Sequence, residues 1–222
     1  MIRRVACPPP PAFSQSATLH ICTLTPDDTL FRVYRGDDPV QFVRSSRDTR
    51  FHPLPAPWDA TEVLYAGSSP EVAISETVLR WHDRTEEGGK IILSRSQIQG
   101  RKLVALRTDG PLDLVDFTGF GMKPLTELVE DGVAEGIFLS DASSYSLTQE
   151  WGACFRSQCS RAAGFRWMSR HHNSSCCYVF FGEPCRGIKF LPSAPPEEIA
   201  VGTPGGDILQ DCLGALGWEA EW

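Results

Sequence analysis

No stretch of this 222-residue chain approaches the run of about 18 apolar residues that a membrane-crossing helix needs, so no transmembrane span is expected. Basic charge is scarce. The 21 Lys and Arg stand against 28 Asp and Glu, for a net charge of −7 and a pI near 5.2, and no Lys/Arg stripe offsets the excess. A surface that tracks a nucleic-acid backbone is therefore not expected, whereas a few focused arginines remain able to hold a small anion. No G-x-G-x-x-G follows a strand-like run and no Walker A loop occurs, which removes the two commonest nucleotide-phosphate cradles. The eight cysteines include no C-x-x-C. Dispersed through so long a chain, they read as free, mostly buried thiols rather than a disulfide framework. His171–His172–(x3)–Cys176–Cys177 is the one arrangement that hints at metal, but its cysteines enter an apolar run and nothing completes a zinc site, so no metal is expected. The start, MIRRVAC, meets Pro8–Pro11 with no apolar core of a secretion signal between, so the chain is expected in the cytoplasm. No internal repeat is present.

What the chain does have, with 41% hydrophobic and 22% charged residues, is the composition of one globular domain with tails. The division expected is a proline-rich arm over 1–17, a domain over 18–185 and a weakly structured extension over 186–222 that carries a helix near Asp207–Leu216. The organising stretch is VLYAGSSPEVAISETVLRWH (Val63–His82). Val63–Gly67 reads as a strand. Ser68–Glu71 follows as an S-x-x-E capping box, with Pro70 suited to a first helical turn. On a helix from Pro70 to Trp81, Ile74, Val78 and Trp81 form one apolar stripe and Val72 and Leu79 a second, with Glu76 on the second. A helix apolar on two sides is covered on both, which places Glu76 at the edge of a core. Two readings of that carboxylate stand: an i, i+4 ion pair with Arg80, worth about 0.2–0.5 kcal/mol, or a functional group.

Strands are expected at Thr18–Leu24, Leu30–Tyr34, Lys90–Leu93, Arg101–Leu106, Leu112–Phe117, Phe165–Met168 and Cys176–Phe181, the last continuous in apolar residues and hence central. In Leu30–Tyr34 the alternation points Arg32 away from Phe31 and Val33. A short helix fits Leu125–Val133. Gln149–Ala163, begun by Ser146–Thr148 and ended by Gly164, fits an amphipathic helix whose Trp151 and Phe155 face the core. The aperiodic segment between Gly36 and Asp59 is a surface loop whose Arg44, Arg47 and Arg50 are candidates to meet an anion. Strands interrupted by two helices predict an α+β domain with a curved mixed or antiparallel sheet.

Five pieces resemble, in order and spacing, the RES domain: LFRVYR (Leu30–Arg35), TRFHP (Thr49–Pro53), EVLYAGSSPEVAISE (Glu62–Glu76), YSLTQEWGACF (Tyr145–Phe155), and GFRWMS (Gly164–Ser169) with CYVFF (Cys177–Phe181). Arg32, Glu76 and Ser169 match the arginine, glutamate and serine for which that family is named, and Arg50 and Tyr65 match two further motif positions. His52 stands where the family has asparagine, and Trp167 where a tyrosine is common. The resemblance covers roughly Leu30–Phe181. It implies an ADP-ribosyltransferase-like fold that degrades NAD+ by hydrolysis or phosphorolysis, as a bacterial toxin restrained by a helix-turn-helix antitoxin of the Xre type. NAD+ would be substrate rather than cofactor, with inorganic phosphate as a possible co-substrate. The roles it implies are Glu76 against the developing positive charge or on the ribose, Arg32 and Arg50 on the pyrophosphate or phosphate, Tyr65 stacked on nicotinamide, and Ser169 hydrogen-bonded to the amide or ribose. Two other readings keep the pocket: transfer of ADP-ribose to a macromolecule, and an inactive NAD-binding interaction module. A homodimer is the default expectation for assembly.

Overall fold

The structure is a computed structural model that describes residues 10, 19–44, 48–80, 90–123, 136–138, 142–172 and 174–221. The strands are β1 (Ile21–Leu24), β2 (Leu30–Arg35), β3 (Val63–Gly67), β4 (Lys90–Ile92), β5 (Arg101–Thr108), β6 (Leu112–Phe117), β7 (Gly164–Met168), β8 (Cys176–Phe181), β9 (Phe190–Pro192), β10 (Glu197–Glu198) and β11 (Glu219–Glu221). The helices are α1 (Pro70–Ser75), α2 (Arg95–Ile98), α3 (Tyr145–Gln158) and α4 (Pro204–Ala215). The main sheet runs β1-β6-β7-β8-β3-β2-β5-β10, with β9 also on β5, and its pairs are antiparallel except β6 with β7. A parallel pair, β4 with β11, lies apart. This is the expected α+β fold with a curved mixed sheet. Among the described residues no helix is long and apolar enough to cross a membrane.

Strand β8 is apolar throughout because both its faces are covered. Cys177, Val179 and Phe181 join Trp151 and Phe155 of α3 in one core cluster, while Tyr178 and Phe180 join Leu30, Leu64 and Leu106 in another. Two parallel neighbours, β6 and β7, are tied by a two-pronged ion pair in which Arg166 donates from Nε and Nη2 to the two oxygens of Asp116, at 3.0 and 2.8 Å. That pair fixes the strand whose end delivers Ser169.

Several local features differ from expectation. Helix α1 ends at Ser75 and Glu76 is its C-terminal cap, with Thr77 and Val78 continuing as hydrogen-bonded turns; Trp81 lies outside the described residues. The cap at its start is Ser69, whose Oγ accepts from Val72 N, rather than a box from Ser68 to Glu71. Ser68 instead pairs with β8, its Oγ accepting from Cys176 N at 2.8 Å. Gly67 allows the tight strand-to-helix passage, since a Cβ there would lie 2.8 Å from Ala73 N. Gly164 does not cap α3 but begins β7, where a Cβ would sit 1.9 Å from the carbonyl oxygen of Val179. The expected helix over Leu125–Val133 and the arm over 1–17, apart from Pro10, fall outside the described residues.

The largest correction concerns 186–222. That segment supplies β9 and β10 to the main sheet, β11 to the small one, and α4, whose Leu209, Cys212 and Leu213 are buried against Ala73, Ile74, Val78 and Leu79. It is part of the core. Burial of α4's apolar face gives it tertiary partners, which a short helix needs for stability.

Candidate active site

The site exists because β2 and β3 separate. Strand β2 pairs along its length with β5, and β3 along its length with β8, but β2 and β3 meet only at Phe31 and Gly67. At the other end of β3 the edge is taken by Val43, which exchanges two 3.0 Å backbone hydrogen bonds with Val63. Between these points lies a cavity of about 350 Å³, lined by both strands, by the end of α1, and by Tyr145, Trp167 and Arg170. All but one of the expected site residues line it: Glu76, Arg32, Arg50 and Tyr65. The remaining one, Ser169, reaches it through Glu76.

Glu76 is part-buried. Ser169, 1% exposed, donates from Oγ to Glu76 Oε1 at 2.7 Å. The same Oγ accepts from the backbone N–H of His171 and His172, at 3.1 and 3.2 Å, so its proton is directed at the carboxylate. Burial pushes the Glu76 carboxyl up. His171, the Ser169 hydroxyl, Arg50 and Arg170 outweigh it and hold the group below the ordinary glutamate value. The alternative partner Arg80 is not one helical turn along, because the helix has ended. Its guanidinium donates to the Tyr145 hydroxyl and lies 5.4 Å from that ring's centroid.

Arg50 is 7% exposed, donates from Nη1 to the carbonyl of Ile137 at 2.7 Å, and has its pKa lowered by burial against the opposing pull of Tyr145 and Glu76. Arg44 of the same loop is exposed and bonds the Ala60 carbonyl, and Arg47 lies outside the described residues. Arg32 follows the alternation expected of it, on the side of Leu30 and Tyr34. It donates to the carbonyls of Pro39 and Gln41, at 3.0 and 2.9 Å, and burial lowers its pKa to about 10. Its place on the cavity wall is therefore tied to the loop after β2.

The Tyr65 hydroxyl is committed. Phe51 N donates to it at 3.2 Å, it lies 2.9 Å from Thr49 Oγ1, and Thr49 Oγ1 donates to the His52 carbonyl at 3.0 Å. A carbonyl only accepts, so the Thr49 proton goes to His52 and the Tyr65 proton to Thr49. The ring remains in the cavity, edge-on to Trp167 with centroids 6.4 Å apart. Helix α3 grips the same turn: Gln149 Nε2 donates to the carbonyls of Thr49 and His52, at 3.1 and 3.2 Å, and Thr148 Oγ1 to that of Arg50. His52 does not line the cavity. Its Nε2–H donates to the Thr61 carbonyl at 3.0 Å, and burial lowers its pKa, so its substitution for asparagine acts on the loop rather than on the pocket.

Spacing alone did not reveal Arg35, Arg80, Arg101, Arg170 and Tyr145 as site residues. Only Arg35, inside LFRVYR, and Tyr145, first in its motif, had a signal that could have marked them. Six arginines line the cavity, and Glu76 is its one carboxylate among the described lining residues. In a chain of net charge −7 that is a concentrated positive pocket, suited to a phosphate-bearing ligand with a cationic or electron-poor centre near Glu76. The Cys177 thiol on its wall is pushed well up by burial and by Glu76, which makes it a poor nucleophile. No three His, Cys, Asp or Glu gather as a metal site among the described residues; His172 Nε2 pairs instead with Ser75 Oγ at 3.1 Å. The described cysteines are free thiols.

Comparison with known families matches residues 29–198 to the RES domain. No curated protein matches the chain. Among solved structures, a chain of the crystal structure of the M. tuberculosis MbcT-MbcA toxin-antitoxin complex is similar, with a TM-score of 0.55 and 11% identity over 85% of this chain and 90% of that one. At that identity the likeness is one of fold.

Proposed function

The chain belongs to the RES domain family, and from that membership and its cleft we propose that it is an enzyme cleaving the nicotinamide–ribose bond of NAD+, the toxin of a toxin–antitoxin pair. The observation that carries this reading is Glu76: an ionised carboxylate, oriented by Ser169, inside a pocket whose other charged lining residues are all arginines. When the bond from ribose C1′ to the pyridinium nitrogen breaks, its electron pair goes to the nicotinamide, which leaves neutral. Positive charge then develops on C1′ and the ring oxygen. A fixed carboxylate beside that charge stabilises it, and does so more strongly where water is excluded. Water or inorganic phosphate next bonds to C1′ through oxygen, giving ADP-ribose with loss of a proton or its 1″-phosphate. Arg50 and Arg32, with Arg80 and Arg170 on the side of Tyr145, hold the pyrophosphate, or the attacking phosphate, with forked donors. The Tyr65 ring forms a wall for the nicotinamide. The fold shared with a chain of the MbcT-MbcA complex supports a protein antitoxin as partner, and a helix-turn-helix protein covering the cleft mouth fits this role.

The test is nicotinamide release from NAD+ by purified protein, with and without phosphate. Wild type is expected to release it, and Glu76→Gln to lose at least a hundredfold in rate while keeping its fold, since a preorganised group of this kind contributes about 3–4 kcal/mol. NAD+ left intact by wild type under both conditions sinks the reading. Label carried from NAD+ to a macromolecule in cell extract would assign transfer instead, and tight binding without turnover would assign an interaction module.

A further inference from the structure

A second cavity of about 450 Å³ opens beyond the first, and Arg101 lines both. Its floor is Ile98 and Ile199, 7% and 2% exposed, and at its rim Val201 is 74% exposed, the most exposed of the large apolar side chains among the described residues. Arg95, Gln99, Gly100, Glu198 and Ala200 complete the wall. An apolar slot with a few polar groups at its edge is the usual character of a small-molecule subsite.

Position in the sheet says what such a subsite adjoins. The order β8, β3, β2, β5, β10 carries in turn Cys177 and Tyr65, then Arg32 and Arg35, then Arg101, then Glu198. From β3 to β10 is three inter-strand steps; two are paired at about 4.8 Å each, and the step from β3 to β2 is widened by the first cavity. Along that path the lining changes from Tyr65, with Glu76 of the α1 end beside it, through arginine, to an aliphatic floor edged by Arg95, Gln99 and Glu198. The parts of an extended dinucleotide come in the same order: a reacting riboside, a pyrophosphate, a base.

We propose that the second cavity seats the purine base of the dinucleotide, between the aliphatic floor and Val201, with Arg101 beneath the bridging phosphates. The proposal rests on the NAD+ reading of the Glu76 site. The Gln99 amide offers both a donor and an acceptor to the edge of the base, and the guanidinium of Arg95 or Arg101 offers a plane to its face.

Calorimetry on the full chain with ADP, which carries the adenosine and diphosphate without the nicotinamide riboside, tests it together with cleavage kinetics. Val201→Asp, at an exposed position that folding tolerates, and Ala200→Trp, which fills the cavity, are each expected to weaken ADP binding at least tenfold. They are expected to raise the KM for NAD+ by a similar factor with kcat unchanged, and to leave the KM for nicotinamide mononucleotide, which lacks the adenosine half, where it was. NAD+ cleavage with an unmoved KM in both variants overturns the base site and leaves the catalytic reading standing. ADP binding that both variants weaken, in a protein that leaves NAD+ intact, supports the base site and removes the catalytic reading. No ADP binding at millimolar concentration overturns the base site.

Discussion

Glu76 is ionised because four neighbours outweigh its burial, and only one of them, Arg50, belongs to a motif that suggests anion binding. Ser169 lies 93 residues away in the chain and His171 and Arg170 beside it, so a single loop after β7 supplies most of the effect. A carboxyl held below its ordinary value contributes stability that is present above the unfolded value and lost as pH falls through the folded one. The gap in unfolding free energy between wild type and Glu76→Gln should therefore be flat above pH 4.5 and shift in favour of the glutamine variant below it, measured by denaturation across pH. The acid limb of kcat should likewise lie below pH 4.5; a limb well above it would mean that another group must lose its proton for turnover.

Helix α3 enters the cavity through Tyr145 at its start and acts on the site also through its next turn. Gln149 and Thr148 hold three carbonyls of the turn from Thr49 to His52, Tyr65 holds its amide at Phe51, and Arg50 projects from that turn into the cavity. Gln149→Leu removes two hydrogen bonds and leaves the Thr49 and His52 carbonyls only the bonds they make within the turn, a loss of about 1–3 kcal/mol in which the aim of Arg50 suffers. The expected result is a several-fold or greater rise in KM for NAD+, with the cooperative thermal transition preserved. An unchanged KM would mean that the turn holds its shape without α3. The motif YSLTQEW was legible as a helix from its period, but the purpose of its polar side was not, because a glutamine at a helix surface looks the same whether it meets water or a turn.

At the scale of the whole molecule, the helix α1 that presents Glu76 is roofed by α4. Leu209 and Leu213 of α4 are 0% and 1% exposed and pack with Ile74, Val78 and Leu79, so the C-terminal residues hold the helix whose end presents Glu76. Leu213→Ala should cost about 2–5 kcal/mol in chemical denaturation, the range for a buried leucine that leaves a cavity. A cost within error of zero would return α4 to the status of a loose appendage.

Local patterning determined much of this protein on its own. Alternation and apolar runs set β3, β6 and β8 to the residue and placed Trp151 and Phe155 inside, because a strand or helix buried on known faces needs particular side chains at particular intervals. The five spaced motifs also carried Glu76, Arg32, Arg50, Tyr65 and Ser169. Tertiary structure alone decided that α1 stops at Ser75, that α4 packs into the core, and that Arg80, Arg101 and Arg170 turn toward one cavity. A gap between two strands is made by which partners each strand takes elsewhere in the sheet, and residues far apart in the chain can share its charge only once those pairings exist.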